Sequence, residues 1–577
     1  MQNVRSLWLL MFLGLSACSS VEKKAELKSS LEVQPPTAVT TAPTESASPN
    51  EASGLTADLL YDLLLSGFAF QAGELETASV ALSRAARASG DVELNSRAAR
   101  MALHSKQYAE AAKLGQDWIA QNPKDHLAFI ITALAAILDD NSELSLDTLT
   151  ALLAQDESLL GLRFQQIGEV FLKHADRPAA YLMLEELVSS HSQVPQAWMV
   201  LAGLAQRNKD TAKMLLALDK VLALDAENQS AAGYKLAALE ANKTAQANFA
   251  QDYLLAHPQA HIFHMQYVRL LLRADEDKLA LEQVLALLET DAENADAVNI
   301  AALLYQGEED YKNAAMLFKR RLVLTPEDDR SRIYYASALQ HLKRYDDAKI
   351  ILAEIKDKTE VFDGQRQMAL VIEQDEGIDG ALAFLETVRG HDQAQNVQLI
   401  VDKELMLKRA ERKQEALKVI NEGLVLYDDD TLRYHRALMT VDMDDLKTHE
   451  SDMRILLARK PENPHYHNTL GYSLLTMSDR LEEATEFINK AHALKPDDPY
   501  ILDSKGWLEY KKGDFMAALK FLKQAYAIDQ DAEIAAHIGE VHWVNGEQQK
   551  ARDYWQKGDK IDAKNKSLIE IKARFLK

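Results

Sequence analysis

Few residues in this chain could do chemistry, and one of them stands alone. Cys18 is the only cysteine in 577 residues. A single thiol closes no disulfide within the chain and builds no cysteine-based metal site, so it can serve only as a nucleophile or an attachment point. Histidine offers the next candidates. The stretch HPQAHIFH spaces His257, His261 and His264 by four and three residues, a pattern that can put imidazoles on one helix face to bind zinc. Pro258 sets His257 ahead of that helix, however, and no nearby carboxylate completes a ligand set. His465 and His467 alternate, so on a helix they point apart. Ser20–Lys23 reads SVEK and imitates an SxxK nucleophile motif, yet nothing around it could position a reaction. No phosphate loop, dinucleotide fingerprint, HExxH or GxSxG is present. The expectation is a protein with no catalytic residue, no cofactor and no bound metal.

The residues before Cys18 say what its thiol is for. Arg5 is the only charge among the first seventeen; an apolar run from Leu7 to Leu15 follows, and then Ser16 and Ala17, both small. That order is a secretory signal, and the run is too short for a membrane span of about 20 residues. Leu15-Ser16-Ala17-Cys18 resembles a bacterial lipobox. The resemblance implies a signal peptide over 1–17, removed after lipid is joined to Cys18. Ser19 lacks the aspartate that such lipoproteins often carry when held in the inner membrane, which implies an outer-membrane address facing the periplasm. Several acyl chains together anchor firmly where one alone binds marginally.

Residues 21–53 hold four of the thirteen prolines and almost no large apolar side chain. Such a composition cannot bury enough surface to fold, so 18–53 reads as the lipidated cysteine and a disordered tether. Its ends would lie roughly 30 Å apart as a flexible coil.

From residue 54 the pattern becomes periodic. A small alanine recurs at Ala78, Ala111, Ala314, Ala348, Ala381, Ala416, Ala484, Ala518 and Ala551, each gap close to a multiple of 34. A second small residue precedes many of these by about a dozen places: Ala99, Ala302, Ala336, Ala369, Gly471, Gly506 and Gly539. Two small residues per period suit a pair of antiparallel helices whose backbones come close. Prolines fall at predicted starts and ends of units, where a helix tolerates them. The interval holds about fifteen units.

A 34-residue helix-turn-helix with this small-residue spacing resembles the tetratricopeptide repeat. The copies from Pro464, Pro499 and Ala532 carry the likeness best; it is clear over 55–123 and 295–563 and degenerate over 124–294, where Trp198 still marks one unit. The resemblance implies an all-α, right-handed superhelical solenoid over 54–564 with a concave groove. Residues 565–577, with Leu568, Ile571 and Phe575 on one face, read as a capping helix. In this repeat, places 2, 5, 9 and 12 of the first helix face the groove. That assigns Tyr472, Tyr500, Trp507, Tyr510 and Trp543 as candidate partner-binding residues, and exposed aromatics of this kind anchor partner segments. The competing expectation is that tight winding buries these rings between units.

Charge excludes one class of partner. Lys and Arg total 65 against 88 Asp and Glu, a net of −23, and a body this acidic repels nucleic acid. Lipobox, tether and repeats together resemble the adaptor lipoproteins that bind periplasmic carboxyl-terminal processing proteases. That resemblance implies a non-enzymatic scaffold binding protein partners, namely such a protease and cell-wall hydrolases as its substrates, with a membrane contact through lipid and no small-molecule substrate. Assembly lipoproteins for a secretin, pilus or β-barrel machine, and regulators of peptidoglycan synthesis, are the alternative.

Overall fold

The computed structural model describes residues 56–174 and 178–576. Cys18, the Ser20–Lys23 motif, the whole 18–53 tether and the 1–17 leader therefore lie outside the described residues. Among the described residues every regular element is helical: 31 α-helices and one short 3₁₀ turn. They fall into fifteen antiparallel pairs followed by a single helix, Lys566–Phe575.

The chain divides into two compact units at Leu324 and Thr325, between the eighth and ninth pairs. The first unit begins with helices Ala57–Gln71 and Leu75–Ser89 and ends with Ala295–Gly307 and Tyr311–Leu324. The second begins with Asp329–His341 and Tyr345–Ala353 and ends with the pair Ala532–Val544 and Gln548–Asp562, then Lys566–Phe575. Within that unit Leu568 and Ile571 are buried, in one cluster with Ala536 and Trp555.

The periodic alanines hold the pairs together. All nine, from Ala78 to Ala551, are fully enclosed, each on the second helix of its pair. The small residue on the first helix meets that surface at short range. At Gly539 a Cβ would sit 2.1 Å from Trp555 Nε1, so only hydrogen fits there. In the pair 393–426 the register place of that small residue is taken by Glu404, and the close approach moves to Gly423, whose added Cβ would come within 2.9 Å of Ile400 Cγ2.

Regular pairs also fill 126–290, where the repeat is hardest to see in the sequence. There Ser145 and Met214 occupy the alanine place, and Leu236 and Val268 the small-residue place, all buried. Helix His126–Leu138 is apolar all round and buried on every side, flanked by pairs that cover both faces.

Local signals set the helix boundaries. Pro195, Pro464 and Pro499 each stand in the first turn. Asp or Asn caps most starts; Asp91 Oδ1 accepts from Leu94 N–H at 2.8 Å, and Asn294 Oδ1 from Ala297 N–H at 3.0 Å. In twelve of the pairs the turn between the two helices reverses through a left-handed residue. Gly73, Gly377, Gly513 and Gly546 take that place in four pairs; Lys106, Asp140, Lys209, Asp275, Glu309, Lys343, Glu411 and Asp444 take it in eight others. These non-glycine turns show that the repeat geometry, rather than local preference, fixes the reversal.

Candidate partner-binding surface

The first helices of the second unit carry a row of large side chains at one register place. Leu370, Leu405, Leu438, Tyr472 and Trp507 follow one another at intervals of 33 to 35 residues. Each directly follows the close-approach place of its helix, at Ala369, Glu404, Ala437, Gly471 and Gly506. Successive pairs stack, so equal places on successive first helices lie side by side. Leu370 is half-buried and Leu405 and Leu438 are exposed, whereas Trp507 is enclosed.

Polar groups border the row at its beginning. A depression of about 430 Å³ is lined by Gln340, Gln367, Leu370, Gln374 and Arg409 among others. Gln367 Nε2 donates to Gln340 Oε1 at 2.6 Å, and Gln340 Nε2 to the Leu370 carbonyl at 3.1 Å. Arg409 pairs with Glu373 at 2.7 Å. Arg366 holds Asp402 through two bonds of 2.5 and 2.9 Å, joining consecutive pairs by a bidentate fork. Amides that both donate and accept, beside apolar steps one repeat apart, suit a peptide segment with alternating demands.

At the other end the row closes over a buried polar network. His537 Nδ1 lies 2.9 Å from Asp503 Oδ1, with both residues enclosed, and the Trp507 ring stacks on the imidazole at 4.2 Å between centroids. Tyr510 donates to Glu540 Oε1 at 2.9 Å, and Arg574 pairs with the other oxygen of that buried carboxylate. Burial opposes a charge on His537, but Asp503 outweighs it, with Glu533 and Glu540 adding to the pull, and the imidazole pKa is raised. Burial, then the same three carboxylates, pushes the Tyr472 phenol well above its usual range. Tyr510 rises as well, through burial and then Glu540.

The five aromatics expected to line a groove therefore occupy different surroundings. Tyr500 is 52% exposed and donates to Asp529 Oδ2 at 3.2 Å, whereas Trp507 is 7% exposed. Tyr472 and Tyr510 pack at the edge of the cluster that contains Trp507. Trp543 is half-buried between Trp555 and Phe575, at 5.4 and 6.0 Å, with the Arg552 guanidinium 5.3 Å above its ring. The row at 370, 405 and 438 escaped the sequence reading because leucines at a repeat place look like core; extending the register from Tyr472 backwards would have found it.

The histidines do not converge. His257 closes one helix with its ring tilted against Tyr253, His261 opens the next and lies 3.5 Å from Asp291 Oδ2, and buried His264 bonds Gln283 at 3.2 Å. His467 Nε2–H donates to the Pro461 carbonyl at 2.8 Å, while His465 faces solvent.

Two curated proteins are similar to parts of this chain. A TPR repeat-containing protein of Pseudomonas aeruginosa is 38% identical over 164 residues, 28% of this chain and 28% of its own length. A second TPR repeat-containing protein, from Methanocaldococcus jannaschii, is 30% identical over 112 residues, 19% of each. The chain thus matches little more than a quarter of the first relative and less than a fifth of the second. Its stacked helix pairs are tetratricopeptide-like. Among solved structures, a tetratricopeptide repeat protein from Parabacteroides merdae covers 49% of this chain and 99% of its own at 12% identity, with a TM-score of 0.34. No family model matches, and no enzyme family is indicated. A repeat scaffold of this type works by presenting surfaces to other proteins.

Proposed function

We propose that this chain is a non-enzymatic adaptor, lipid-anchored through Cys18 at the periplasmic face of the outer membrane. In this reading it binds and activates a carboxyl-terminal processing serine protease and presents substrates such as peptidoglycan hydrolases to it. The observation that carries the binding part is the register row Leu370, Leu405, Leu438, exposed or half-exposed beside the Gln340–Gln367 amides. The lipobox likeness at Leu15–Cys18 and the resemblance of the whole layout to protease adaptors support the address and the partner class. Holding enzyme and substrate on one scaffold turns a rare meeting into a local one, which raises the effective concentration of each for the other.

The test is a degradation assay. A candidate hydrolase and the host's processing protease are mixed with and without the purified chain. The adaptor reading expects hydrolase loss to accelerate when the chain is present. An unchanged rate, with protease and chain failing to co-elute, would remove the protease from the account.

A further inference from the structure

The first described helix presents an apolar face that no described part of its unit covers. On Ala57–Gln71, Leu60, Tyr61, Leu64 and Phe68 are between 44% and 67% exposed. Leu60, Leu64 and Phe68 are four residues apart and form one stripe, with Tyr61 beside it. In the next pair, Leu94 and Met101 hold the register places of Tyr61 and Phe68, and both join a cluster with Leu82 and Ala86 of the pair before. The first helix has no described pair before it, so its stripe is the open end of the stack.

We infer that this stripe is a membrane-contact face, seated in the headgroup–acyl boundary of a neutral bilayer and fixing how the repeats stand on it. The inference rests on the lipid-anchor reading of Cys18. Thirty-seven residues separate Cys18 from Thr56, where the described chain begins, and on the tether reading a coil of that length would span about 30–37 Å. The helix that follows is thereby the part of the body held nearest the bilayer. Its free face offers two leucines, a phenylalanine and a tyrosine, the set that buries well at a lipid interface. Charge argues against a second copy as the cover. Each chain carries a net −23, so two copies repel, and Asp58 on the same helix adds to that; a neutral lipid surface exerts no such force.

The chain's single native thiol makes the test direct. In the full chain, Cys18→Ala combined with Leu64→Cys gives one labelling site for a polarity-sensitive fluorophore, and Cys18→Ala with Met516→Cys gives a control at a remote, exposed place. Vesicles of phosphatidylethanolamine and phosphatidylcholine are then added. The expected result is a blue shift and protection from iodide at residue 64 and neither at 516, with vesicle affinity about tenfold weaker when Phe68→Glu is added. No shift at residue 64 overturns the inference. A shift that needs no vesicles and grows with protein concentration also overturns it, and assigns the face to self-association. Incorporation of labelled palmitate into the wild-type chain, but not into Cys18→Ala, tests the anchor itself. Its failure would sink the lipid reading while leaving the probe result standing or falling by itself.

Discussion

Asp503 and His537 show how single residues couple neighbouring repeats. The two are 34 residues apart, one period, and meet as an enclosed pair under the Trp507 ring. Removing one partner leaves the other buried and uncompensated, so Asp503→Asn should cost about 3–5 kcal/mol, read as a loss in chemical denaturation of the second unit. The pH dependence has a definite sign. His537 has a raised pKa in the folded chain, so its pairing contributes fully below about 6.5, the ordinary imidazole value, and is lost as pH climbs through the folded value. Stability should fall over that climb, and Asp503→Asn should flatten the fall. Trp507→Ala should also lower stability, by about 3–5 kcal/mol, because the ring fills an enclosed space. The sequence showed which face these aromatics share, because register is a local property. It did not show how closely the next pair is wound against them. That depends on partners a full period away, such as His537 beneath Trp507, and no local pattern records it.

Helix pairs were legible wherever the close-approach residues are small. Ala348, Ala381 and Ala416 announce their pairs because only a small side chain fits between two helices in contact, and each is fully buried. Over 126–290 the same places hold Ser145, Met214, Leu236 and Val268, which pack as well but break the alanine signal. Ser145 does so by donating to the Ala133 carbonyl at 2.8 Å, which satisfies its hydroxyl inside the pair. The converse substitution should fail where space is least. Gly539→Ala places a methyl 2.1 Å from the Trp555 indole nitrogen, and the overpacking should cost about 1–3 kcal/mol in thermal or denaturant unfolding. Lys343→Gly, at a left-handed turn with φ 60°, should change stability by less than about 1 kcal/mol. Relief of backbone strain there offsets the greater freedom of the unfolded chain.

At the scale of the whole molecule, the proposed account joins an address to a surface. The address lies in residues outside the described structure and rests on the signal-like run, the Leu15–Cys18 motif and Ser19. Cys18→Ala should therefore move the protein from the membrane fraction to the soluble periplasmic fraction, as read by immunoblot of separated envelopes. The surface rests on the row through Leu370, Leu405 and Leu438, in a chain whose net −23 repels nucleic acid. The binding claim is tested most directly by capture with the full chain as bait, comparing wild type with Leu405→Asp combined with Leu438→Asp. Envelope extract from the host is passed over both, and the retained proteins are identified by mass spectrometry. The account predicts that the wild type retains a carboxyl-terminal processing protease together with cell-wall hydrolases. It predicts that the double variant, with helical content unchanged by circular dichroism, loses the protease, the hydrolases or both. Equal retention by both baits would show that the row is not the binding surface, and secretin or barrel-assembly components in their place would contradict the adaptor reading itself.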